Sequence, residues 1–160
     1  MQTSLTSPVI THEALLEHWQ GHRRLTRRVI ESFPEDAFFA YSIGGMRPFA
    51  ALTMEMIGMA GPSMVGAATR EWPTFNPPAL PGTKREVLQL WDETTGQINR
   101  YWAQIPPERF QEHDVAFGIY PGNIYSHILY FIDNEIHHRG QGYVYLRGLG
   151  IEPPPFWERD

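Results

Sequence analysis

The sequence predicts an all-α protein, a four-helix bundle joined by long crossover connections. Three observations predict it. Four segments carry apolar residues at three-four spacing, the period of one helix face. No segment alternates apolar and polar residues over the length of a strand, and no glycine-rich phosphate fingerprint is present. The stretches between the apolar stripes are long and rich in proline, which suits crossovers better than a plain up-and-down bundle. With 160 residues, the chain has the length of one domain, spanning 1–160.

The first helix starts at Thr11, whose hydroxyl can cap it. Its apolar face runs Leu15, Trp19, His22, Thr26, Val29 and Phe33, and Pro34 stops it. The paired arginines Arg23-Arg24 and Arg27-Arg28 recur at helical spacing and read as the solvated side of this helix. His18 and His22 are one turn apart, a spacing able to chelate metal, but packing and surface roles account for them more simply.

Residues 33–46 read as a connection, turned by Ser42-Ile43-Gly44-Gly45. Pro48 suits the first turn of the second helix. Its stripe is Phe49, Leu52, Met56 and Met59, with Gly61-Pro62 expected to bend or interrupt it before Arg70. Glu55 stands within this apolar, methionine-rich stretch. Residues 72–82 hold too many prolines for helix or strand and read as an extended crossing, with Trp72 and Phe75 packed.

The third helix carries Val87, Trp91, Thr94, Ile98, Tyr101 and Ile105 on one face and ends at Pro106-Pro107. Residues 108–122 form a second connection, apolar enough through Phe110, Phe117 and Tyr120 to lie over the bundle. Asn123 can cap the last helix. Ile124, Ile128, Phe131, His138, Tyr145 and Leu149 mark its inner face, Gly148 and Gly150 its end, and the tail Pro153-Pro154-Pro155-Phe156-Trp157 cannot be helical.

Charge and composition exclude several functions. A formal net charge of -5, with seven histidines mostly neutral at pH 7, leaves no surplus positive charge for phosphates, so nucleic acid is not an expected partner. The chain has no cysteine, which excludes disulfides, thiolate zinc clusters and a cysteine nucleophile. No run approaches the ~20 apolar residues of a membrane span, and Met1 to Thr6 do not resemble a signal peptide. A cytoplasmic protein is the expectation.

Chemistry concentrates on the last helix. At about 100° per residue, His127, Phe131, Asn134 and His138 fall on nearly one line. His137 lies about a quarter-turn away, and Glu135 is nearly opposite it. Asn134 and His138 can therefore meet a carboxylate from a facing helix, and Glu55 supplies one. An imidazole beside a carboxylate suits zinc, iron, nickel or manganese. A Glu55 that faces water or pairs with an arginine such as Arg139 accounts for the same residues. His22, Glu135 and His137 are alternative members of the site.

His137-His138-Arg139-Gly140-Gln141, followed by Tyr145-Leu146-Arg147 and Gly150, resembles the C-terminal helix signature of the DinB/YfiT-like family. Residues Gly45-Met46-Arg47-Pro48-Phe49-Ala50-Ala51-Leu52 are similar to the start of that family's second helix. The resemblance implies a four-helix bundle, commonly a homodimer, binding a divalent metal ion through three histidines. One histidine is on the second helix and two, four residues apart, are on the last. Carried over, the metal positions are Glu55, Asn134 and His138. Only His138 matches by type. Glu55 is a competent substitute, while the amide oxygen of Asn134 suits harder ions better than transition metals.

The function this implies is a divalent-metal-dependent enzyme acting on a small-molecule substrate, by thiol-dependent group transfer or by hydrolysis. The alternative is a non-catalytic small-molecule or stress-response binding protein that keeps the bundle without the metal chemistry. A third reading is mainly structural, with Phe156-Trp157 and an exposed helix face joining two copies.

Overall fold

The computed structural model describes residues 8–74 and 76–160. The expectations for Phe75 and for the first six residues lie outside the described residues. Helix α1 spans His12–Ser32, and the Thr11 hydroxyl accepts a hydrogen bond from the Ala14 amide at 3.1 Å. Its expected inner positions from Leu15 to Phe33 are all buried. Arg23 is a correction to the solvated basic face: it is 1% exposed. Its guanidinium lies 3.3 Å over the Trp91 ring, where stacking offsets part of the cost of desolvation.

The first connection contains a short helix α2, Glu35–Ala40, that the sequence did not announce. Six residues are fewer than two turns, too few for a periodic stripe to show. Its one buried side chain, Phe38, packs edge-on against Phe33 and Phe49. Helix α3, Phe49–Thr69, runs unbroken through Pro62 and is not interrupted as expected. The carbonyl that loses its helical partner there is that of Gly58, four residues before the proline. Arg70 ends α3 in the left-handed conformation, φ 68°, its amide bonded to Gly66.

Helix α4, Lys84–Trp102, opens on a capping box formed by Thr83 and Glu86. It ends three residues before the expected Ile105, which is nevertheless buried. The second connection is structured: a 3-10 turn, Pro107–Gln111, leads into strands β1, His113–Ala116, and β2, Tyr120–Asn123, an antiparallel hairpin. Strands this short carry no readable alternation, and Pro121-Gly122 disguises the second. Buried Arg109 anchors the hairpin, donating to Ala67 O at 3.1 Å, Glu112 at 2.8 Å and Asp114 at 2.5 Å.

Helix α5, Ile124–Gly148, packs against both α1 and α3. Asn123 precedes it but makes no side-chain cap. The α5 backbone approaches α3 closely at Gly142, where a Cβ would lie 2.5 Å from the Phe49 ring. Gly66 does the same for Trp72, whose indole would meet a Cβ at 2.2 Å. Two apolar clusters fill the bundle, one around Phe33, Phe49, Trp91 and Tyr145, the other around Trp19, Met64, Trp102 and Ile128.

After α5 the chain is extended through its prolines and returns to α1, where Arg24 donates to Arg159 O at 2.8 Å. Among the described residues, no helix is long and apolar enough to cross a membrane.

Candidate ligand site beside Glu55 and His138

Glu55 sits on the second turn of α3, facing α5, and Asn134 and His138 stand one turn apart on α5. The structure brings the three together. His138 Nε2 lies 2.9 Å from Glu55 Oε1, and Asn134 Nδ2 donates to the same oxygen at 3.4 Å. The other carboxylate oxygen takes Arg47 Nη2 at 2.6 Å. Arg47 immediately precedes the N-cap Pro48 of α3, about two turns before Glu55.

On its far side His138 is held by Gln141, with Nδ1 and Oε1 at 2.7 Å, while Gln141 Nε2 reaches Met46 Sδ at 3.2 Å. With its proton on Nε2 the ring donates to Glu55, and Gln141 fixes the orientation of the ring from the Nδ1 side. Burial pushes the Glu55 carboxyl up, but hydrogen bonds from Arg47 and His138 outweigh it and hold the group below its ordinary value.

The donor set suits a divalent ion poorly. Among the described residues, no group of three or more His, Cys, Asp or Glu stands together in a way that could hold a metal. Arg47 already places a fixed positive charge on the carboxylate, and the amide of Asn134 is a weak ligand for transition metals. The residues present therefore fit a divalent metal poorly.

The alternative members go elsewhere. His137 is exposed. Glu135 is buried against α1, accepting from Thr26 Oγ1 at 2.7 Å, Trp19 Nε1 at 3.2 Å and Arg23 at 3.5 Å. His22 Nδ1 faces Arg139 at 2.9 Å, so Arg139 is not the partner of Glu55. Burial, together with Arg139, Arg159 and His18, pushes His22 down to about 3.

A cavity of about 880 Å³ opens beside Glu55. α3, the proline-rich connection, the hairpin and α5 enclose it, and Arg47 and Glu55 are the charged residues among those described in its wall. Met54, Met59, Phe117 and Phe131 give it an apolar lining, and His127 stands in the wall contributed by α5. His127 is seven residues, or about 10 Å of helix rise, from Asn134. Sequence reasoning placed His127 on the inner line without a role, and it missed Arg47 and Gln141 as partners. Both lay inside the quoted family strings, and the three-residue step from His138 to Gln141 was the available signal.

A DinB family model matches residues 1–160. Two crystal structures of DinB-like proteins share the fold. The one from Bacillus cereus ATCC 10987 has a TM-score of 0.74 at 15% identity, over 89% of this chain and 95% of that one. The one from Bacillus subtilis, YjoA, has a TM-score of 0.70 at 15% identity, over 91% and 99%. No curated protein matches. The four long helices, their crossovers and the match along the whole chain agree, and the chain belongs to the DinB family.

Proposed function

We propose that this protein binds a small organic molecule in the cavity beside Glu55, and that the Arg47, Glu55 and His138 group is the polar end of that site. The observation that carries this reading is the cavity itself, about 880 Å³, whose charged wall residues are Arg47 and Glu55. Its size and its mix of apolar lining with a few convergent polar groups are those of small-molecule sites. On this reading Arg47 supplies the positive charge that the family resemblance assigned to a divalent ion.

The test is metal content and thermal melting of protein purified without a histidine tag, with chelator and with added zinc, nickel, iron or manganese. Wild type, Glu55→Ala and His138→Ala are expected to hold equal, far less than stoichiometric metal and to melt independently of it. A ligand of the native state shifts melting by mass action. Stoichiometric metal, lost in both variants, would instead support the metal-dependent enzyme with Glu55, Asn134 and His138 as its ligands.

A further inference from the structure

We infer that the cavity selects a predominantly apolar molecule carrying one carboxylate head, with the head on Arg47. The inference deepens the proposed small-molecule reading and rests on it.

The head group follows from how donors and acceptors are already spent. Most of the acceptor capacity of Glu55 is taken, because Oε1 receives His138 at 2.9 Å and Asn134 at 3.4 Å, and Oε2 receives Arg47 at 2.6 Å. A cationic head would find this carboxylate shared out and would stand beside a guanidinium. Arg47 is in the opposite condition. Its guanidinium carries five N–H donors, and Glu55 is its side-chain partner among the described residues. The side chain is 54% exposed and belongs to the cavity wall. Its remaining donors are matched by a planar acceptor pair, which a carboxylate provides.

The body of the ligand follows from the rest of the wall. Away from Arg47 and Glu55 no described lining residue is charged, and Met54, Met59, Leu80, Phe117 and Phe131 offer thioether, alkyl and ring surface. Methionine pairs adapt to flexible chains, and the proline-rich connection and hairpin close the sides. A second charged group on the ligand would have no partner there and would be desolvated at a cost.

The experiment is titration calorimetry of the full-length, untagged protein with decanoate, decanol and decylamine, each below its micellar concentration. The three share a chain and differ only in head group. Decanoate is expected to bind about tenfold more tightly than decanol, and decylamine most weakly. Arg47→Gln should bring decanoate down to the level of decanol while leaving decanol unchanged. Met59→Trp, which fills the cavity, should weaken all three. Equal binding of the three heads by wild type would overturn the carboxylate inference and leave the small-molecule reading standing. Binding that ignores Met59→Trp would place the ligand outside the cavity and overturn the inference as well. Failure of all three to bind wild type would bring down the cavity reading itself.

Discussion

Two carboxylates flank α5 on different sides, and each meets an arginine near a histidine. Glu135 faces α1, where its side chain is 3% exposed and that of its partner Arg23 is 1% exposed. Glu55, on α3, faces α5 from the other side, with 25% exposure and an Arg47 that is 54% exposed. On the α1 side the donors are matched in turn. Arg23 serves Glu135, Thr95 and the Trp91 carbonyl and stacks on the Trp91 ring, while Arg139 serves Thr26 and His22. On the α3 side a cavity adjoins the pair, and Arg47 keeps donors in reserve. Similar groups thus form a structural seal where nothing else can reach them and, on the proposed reading, a binding end where something can.

The largest test of that contrast is stability. Removing one partner of a buried ion pair leaves the other charge unsatisfied, at a cost of roughly 3–5 kcal/mol. Arg23→Ala and Glu135→Ala should each lose stability on that scale in urea unfolding. Arg47→Ala breaks a half-exposed pair and should cost about 1 kcal/mol or less. Comparable losses for Arg47→Ala and Arg23→Ala would end the distinction between seal and site.

A second test uses pH on the sealed side. Burial and the neighbouring Arg139 hold the His22 ring down to about 3, while in the unfolded chain it titrates near the ordinary 6.5. The unfolded state therefore takes up a proton that the folded state refuses, and native stability falls as pH drops from about 6.5 toward about 3. Thermal unfolding from pH 8 to pH 4 should show this decline, and His22→Asn should flatten it. A decline of undiminished slope in the variant would assign it to other groups.

The two regions also differ in how much of them could be read beforehand. The inner face of α1 was legible because Trp19, His22 and Thr26 share one helical stripe with aliphatic neighbours. Arg23 was misread because its partners, Trp91 and Glu135, arrive from α4 and α5, and a local charge pattern carries no trace of them. Glu55, Asn134 and His138 were brought together by helical spacing and by the family strings. The cavity was not, since its wall is assembled from four separate stretches, two of them without helical period. The hairpin that closes one side lacks any alternation that could have announced it.

The smallest expected effect bears on the open side. Glu55→Gln keeps the shape of the side chain and removes its charge, and at this half-open position the change in stability at pH 7 should be within about 1 kcal/mol. Its pH dependence is the sharper measure. Arg47 and His138 hold the wild-type carboxyl below its ordinary value, so its contribution is present above the carboxylate range and is lost as the pH falls through the lowered value. Wild type and Glu55→Gln should therefore differ at neutral pH and converge in acid, which unfolding at pH 7 and at pH 3 can compare. A gap that persists in acid would mean that the charge of Glu55 is not what separates the two proteins, and that its pairing with Arg47 and His138 contributes little to stability.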